Sequence, residues 1–205
     1  MNTVNVATAA LAALLPIVNP IGALAAFAGM TGSFDPAETR KQAIRVGLYV
    51  FAILAIFTML GSVVLSAFGI TLGALQVAGG LVVGHSGFGM IVPRENFTAA
   101  EKDHAATKAD ISFTPMALPL IAGPGAIGVV IALAARQPGI EDRLGIVVAV
   151  AIVSVIITVL LRWGTPIVDK LGPSGIGAIT RIIGFLILAI GVELLTHGIR
   201  SLYGS

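Results

Sequence analysis

The chain has 205 residues, 57% of them hydrophobic and only 11% charged, whereas a soluble domain needs roughly 25% charged residues to cover its surface. A water-soluble globule is thereby excluded, and a lipid bilayer is the expected partner. The absence of cysteine removes disulfides, thiolate chemistry and Cys-ligated metals, and a net charge of +2 gives nucleic acid little electrostatic reason to bind.

The charges are unevenly placed. No Asp, Glu, Lys or Arg occurs from Val4 to Phe34, Val46 to Pro93, Ile111 to Ala135 or Leu144 to Leu161, and Leu171 to Val192 carries only Arg181. A span needs about 20 apolar residues, so the second stretch holds two spans and the others one each. The predicted fold is an all-α membrane protein with six transmembrane helices near 4–31, 38–66, 71–92, 112–135, 144–163 and 175–200. The N-terminus lacks the basic start of a secretory signal, so the first stretch reads as a retained span. Asp35-Pro36 predicts an N-cap with proline at the first helical position. Pro138-Gly139 and Gly172-Pro173 predict turns.

In the first span, Asn19-Pro20-Ile21-Gly22 stands near the middle, and Gly123-Pro124-Gly125-Ala126 holds the matching place in the fourth. Proline removes a backbone donor and clashes with the preceding turn, and glycine loosens the chain beside it. Each span is expected to split into two half-helices. Broken backbone at mid-membrane is tolerated only inside protein or along a wet cavity. The second half-helix, beginning near Ile21 or Gly125, offers N–H groups and a dipole to a carboxylate. The first half-helix offers carbonyls to an ammonium group. A zwitterion satisfies both, and the Asn19 amide can donate and accept. The other reading is a pair of proline kinks that only shape helix packing.

The third span carries Gln76, His85 and Ser86, read either as polar lining or coupling groups or as interhelical contacts beside Gly80 and Gly84. Ser154 and Thr158 in the fifth can bond to their own helix. In the sixth, Arg181 either counters a carboxylate or snorkels to headgroups, the latter being preferred. Glu193 and His197 stand i, i+4, a spacing that can hold a metal. With no third ligand beside them, a Glu–His hydrogen bond near the outer interface is expected instead, and neither a metal nor a cofactor.

Orientation follows from the short-loop Lys and Arg. Arg40, Lys41, Arg45, Arg94, Lys102, Lys108, Arg162 and Lys170 fall on one side, against Arg136, Arg143 and Arg200 on the other. Both termini are therefore expected outside, and the charged 96–110 loop, within a polar stretch at 93–111, in the cytoplasm. The halves 1–95 and 111–205 align at a constant offset of 104 residues: Pro20 falls on Pro124, Gly73 on Gly177, Gly80 on Gly184, Gly87 on Gly191, Ile17 on Ile121 and Ala74 on Ala178. Three spans per half force the second copy to enter from the opposite side. Two inverted three-helix repeats are expected, an arrangement found in secondary transporters.

At NPIG (19–22), PLIAGPGAI (119–127) and ITRIIGFLILAIGVELLTHGI (179–199) the chain resembles the MarC family of bacterial and archaeal inner-membrane proteins, nearly end to end, with AGG at 78–80 adding weaker support. The resemblance implies six spans in a cytoplasmic membrane and transport, export included, of small neutral amino acids, by analogy with members so assigned. It also brings departures. Many members carry Asp where this chain has Asn19, which cannot titrate. GLVVGHSGFGM (80–90) is less uniformly apolar than in relatives. Glu193 and His197 replace the usual Gln and Asp.

A secondary transporter of small neutral amino acids or similar metabolites is the leading expectation. Drug or antibiotic efflux favours an aromatic-rich cavity, and aromatics are only 6% here. A packing or lipid-handling protein leaves the paired breaks unexplained. An enzyme needs a nucleophile–base or metal constellation, and none is legible. A homo-oligomer stays open. Asn19→Ala is expected to weaken substrate binding without unfolding.

Overall fold

The computed structural model describes residues 3–92, 110–137 and 139–203. The expected 96–110 loop, apart from Asp110, lies outside them, as does Pro138. The described residues form helices joined by short turns, with no strand among them: α1 Thr3–Val18, α2 Pro20–Met30, α3 Pro36–Ala67, α4 Leu72–Ile91, the wide-turned α5 Ser112–Ile121, α6 Pro124–Arg136, α7 Ile140–Trp163 and α8 Thr165–Tyr203.

By length and hydropathy, α3, α4, α7 and the Ser174–Tyr203 part of α8 can cross a membrane, and α1 with α2 and α5 with α6 qualify as pairs bent by 41° and 61°. Contacts show that each pair runs the full thickness. Gly145 near the start of α7 lies beside Thr3, and Gly164 at its end lies beside Leu24. The α1–α2 pair therefore follows α7 for 19 residues, roughly 28 Å at 1.5 Å per residue. At the start of α3, Gln42 accepts from the Ile111 N–H at 3.2 Å and Arg45 binds Asp110 at 2.6 Å. Near its far end, Gly61 lies beside Ile131 of α6. The α5–α6 pair thus travels from one end of α3 to the other. The antiparallel seam of α4 and α8 agrees, with Gly73 beside Gly198, Gly80 beside Gly191 and Gly87 beside Gly184. The six expected spans are present.

The core gathers where α1, α3, α6 and α7 meet. Leu14, Val50, Leu54, Val130, Ile146, Val150 and Ile157 are buried there, while Leu48, Leu60, Val63, Val155 and Phe185 face outward. An apolar outer face of this extent marks a membrane surface.

Helix starts are built locally. Asp35 accepts from the Glu38 N–H at 2.8 Å ahead of Pro36, as expected. Thr71 caps α4 through the Ala74 N–H at 3.2 Å. Two expectations need correcting. The first half of the fourth span is not a regular half-helix. Pro115 and Pro119 force Thr114 and Leu118 into extended angles (φ −127°, ψ 123° and φ −132°, ψ 126°), because the residue before proline avoids the helical region. The fifth span begins at Ile140, where Glu141 and Asp142 suit the positive end of the helix. Gly172, at φ 61° and ψ 177°, breaks α8 where the Gly172-Pro173 turn was expected, and the sixth span is the Ser174–Tyr203 part that follows.

Candidate functional site

The first break is held by a single side chain. Asn19 lies in the left-handed region (φ 48°, ψ 69°), the sole residue other than glycine there among the described residues, a conformation asparagine tolerates well. Its Oδ1 accepts from the Gly22 N–H at 3.1 Å, and its Nδ2 points to Met90 Sδ at 3.8 Å. The side chain is thus spent on capping α2. Pro20 carries no N–H, so Ile21 alone keeps a free first-turn donor among the described residues. This is a narrower anion site than the sequence suggested. Gly22 is required, because a Cβ there would run into the Asn19 amide.

The second break is open. Gly123 is extended (φ −74°, ψ 178°) and no side chain caps α6. Gly125 and Ala126 are buried, and among the described residues their N–H groups have no partner. A buried, uncapped N-terminus calls for an occupant, water or ligand. There is no space for a side chain at Gly125, where a Cβ would stand 2.6 Å from Val83 Cγ2 and 3.7 Å from Ile17 Cγ2.

The two breaks converge. Ile17, two residues before Asn19, touches the Gly125 turn, while Val83 and Met90 present one face of α4 to both. Pro20, Ile21 and Gly22 are half-buried, whereas Pro124 is exposed.

The remaining polar candidates divide. Gln76 is 3% exposed and lines a cavity of about 200 Å³ between α1, α4, α6 and α8, together with Arg136, Glu193 and His197. His85 and Ser86 turn outward, with the Ser86 hydroxyl donating to the Val82 carbonyl at 2.9 Å. They do so because Gly73, Gly80 and Gly87 give the opposite face of α4 to α8. Arg181 is also exposed and pairs with no carboxylate among the described residues. The expected Glu–His contact forms, with His197 Nδ1 3.2 Å from Glu193 Oε1.

Sequence reasoning missed the polar tie that seats α5. Gln42 is fully buried and joins Glu38 at 2.8 Å to Ile111. Asp110 receives Ser112 and Arg45, and the Ser112 hydroxyl holds its carboxyl below the ordinary value. No periodicity announces these residues, because each belongs to a charged helix start.

A family model described as MarC family integral membrane protein matches residues 4–203. The inner membrane protein MarC of Citrobacter koseri is 36% identical over 207 residues, covering 94% of this chain and 93% of the relative. Its namesakes in Escherichia coli and Shigella flexneri are each 35% identical over 208 residues, with the same coverage. No solved structure matches.

Proposed function

The chain belongs to the MarC family of integral membrane proteins, and we propose that it is a secondary transporter of small neutral amino acids or similar metabolites, a carrier and not an enzyme. The observation that carries the reading is the convergence of two broken spans on one face of α4, with Ile17 against Gly125 and Asn19 against Met90. Discontinuous helices that meet at mid-membrane supply half-helix ends to a substrate. The uncapped α6 N-terminus suits a carboxylate.

Alternating access follows from two inverted repeats, 1–95 and 111–205. The glycine seam supports them. The offset of 104 residues carries Gly80 to Gly184 and Gly87 to Gly191, so it exchanges the Gly80–Gly191 and Gly87–Gly184 contacts, as a two-fold axis in the membrane plane requires. The charge bias places both termini outside, and the resemblance favours export.

Counterflow of labelled alanine, serine and threonine in proteoliposomes tests the proposal. Uptake by the wild type that falls in Asn19→Ala is the expected result. Absence of counterflow for all three from folded protein overturns it.

A further inference from the structure

Gly73, Gly80 and Gly87 commit one side of α4 to α8, and Val83 commits the next to the Gly125 turn. One face of the helix is left. Along it Ala74, Ala78, Leu81, His85, Phe88 and Val92 are all exposed. Their spacing alternates four residues with three, the spacing of a seam between two helices.

His85 is out of place on a face left to lipid. It lies about 9 Å inside the end of α4 at Ile91 and about 20 Å from the start at Leu72, at 1.5 Å per residue, too deep for so short a side chain to reach the headgroups. Ser86 spends its hydroxyl on the Val82 carbonyl, but no hydrogen bond reaches His85 among the described residues. Acyl chains offer none, and a polar side chain within a span ordinarily meets protein. The second half of the chain supplies the comparison. At the offset of 104 residues the stripe from Ala74 to Phe88 becomes Ala178, Ile182, Phe185, Ala189 and Val192 of α8. These are exposed too, and none carries a hydrogen-bonding group, as contact with lipid requires. The exposed residues of α3 from Ala52 to Val64 and of α7 from Leu144 to Val159 are likewise all apolar.

We propose that the stripe on α4 pairs with its own copy: α4 packs against α4 of a second chain about a two-fold axis along the membrane normal, with the two His85 rings hydrogen-bonded across it. Two chains inserted in the same direction present α4 in parallel, and a two-fold axis through the stripe sets position 85 against position 85. A charged side chain there repels its twin. A neutral imidazole is its own complement, because one ring nitrogen donates and the other accepts. A single polar residue in an otherwise apolar seam fixes the register and the number of helices that meet. Toward the other end, Ala74 and Ala78 are small enough to let the two backbones approach. The pairing is independent of the transporter reading and leaves the Gly125 turn, on another side of α4, uncovered.

The chain has no cysteine, so Ala78→Cys places a single thiol in the stripe, and Ile182→Cys places one at the matching position of α8. Each variant is reconstituted in liposomes of phosphatidylethanolamine and phosphatidylglycerol, with enough lipid to make chance encounters rare, and oxidised with copper phenanthroline. A disulfide needs Cα atoms within about 7 Å, so Ala78→Cys is expected to form a cross-linked dimer about tenfold faster than Ile182→Cys. Adding His85→Leu is expected to slow that reaction about fivefold. His85→Asn keeps a donor and an acceptor and is expected to restore most of the rate. All three positions are exposed, so the variants retain the fold. Equal rates at 78 and 182 overturn the proposal, because they report collision and not a contact. So does the absence of a dimer at 78, or a rate there that His85→Leu leaves unchanged. The same oxidation of Ala78→Cys in cell membranes is expected to give a product of twice the mass of the chain. A product of any other mass overturns the proposal by assigning the stripe to a different protein.

Discussion

Gly80 of α4 lies against the backbone of Gly191 of α8, so close that a Cβ on Gly80 would stand 2.7 Å from the Gly191 carbonyl oxygen. The neighbouring Gly79 has nothing within 4 Å of the same position. Between lipid-bathed helices the hydrophobic effect contributes little, and close backbone approach supplies van der Waals contact instead. Gly80→Ala is therefore expected to destabilise the protein by about 1–3 kcal/mol, the usual cost of overpacking. Gly79→Ala is expected to be neutral or slightly stabilising, because alanine is the better helix former. Thermal unfolding of the two variants in detergent distinguishes them, and equal midpoints contradict the seam.

Asn19 combines a cap with a left-handed backbone. Asn19→Ala loses both and is expected to cost about 1–3 kcal/mol. Asn19→Gly loses the cap but keeps the backbone geometry, so its cost is expected to be only a few tenths of a kcal/mol. The sequence alone suggested that Asn19→Ala does not unfold the protein. The capping bond to Gly22 adds a stability cost to that variant and makes Asn19→Gly the cleaner control in transport work. A thermal melt that ranks glycine below alanine contradicts the left-handed backbone requirement at this position.

Arg143 donates to the Met59 carbonyl at 3.1 Å and to the Ser62 hydroxyl at 3.3 Å, and its Nε is buried without a partner. The flat fork reaches two acceptors near the end of α3. Lysine carries the charge but not the fork. Arg143→Lys is expected to lower stability by about 1 kcal/mol through one lost hydrogen bond. A double variant with Ser62→Ala is expected to be less than additive, and full additivity argues that the two side chains do not interact.

Asp110 sits below its ordinary value of 3.8 because the Ser112 hydroxyl donates to it, with Arg45 assisting. A depressed carboxyl stabilises the fold above its unfolded value and loses that contribution as pH falls through the folded value. The group is mostly exposed, so solvent screening limits the effect to no more than about 1 kcal/mol. Asp110→Asn is expected to melt slightly lower than wild type at pH 7, with the gap closing below about pH 4. A gap that persists in acid shows that the carboxylate charge is not its source.

The number and class of the spans were legible because lipid imposes long stretches free of charge, and Val46 to Pro93 left no alternative to two helices. Both breaks were legible from proline beside glycine. The commitment of Asn19 to Gly22 was not, because the same asparagine suits a ligand or a cap and only backbone angles decide. The π-type turn of α5 was missed although Pro115 and Pro119 stand in plain view. A proline every fourth residue is read as a weak helix until Thr114 and Leu118 are seen extended. The side of α4 that carries His85 and Ser86 was misjudged because their polarity suggested the interior. The glycine spacing assigned that interior face to α8 instead.

The seam of α4 and α8 also works as a ruler. Gly73, Gly80 and Gly87 on one helix and Gly184, Gly191 and Gly198 on the other recur every seven residues. Sliding one helix by any smaller step sets a side chain against a facing backbone. The next shift that restores glycine opposite glycine is roughly 10 Å away at 1.5 Å per residue, a third of the bilayer thickness. The two helices thus meet in one vertical register. Any motion that opens the bundle must carry α4 and α8 as a unit or part them sideways.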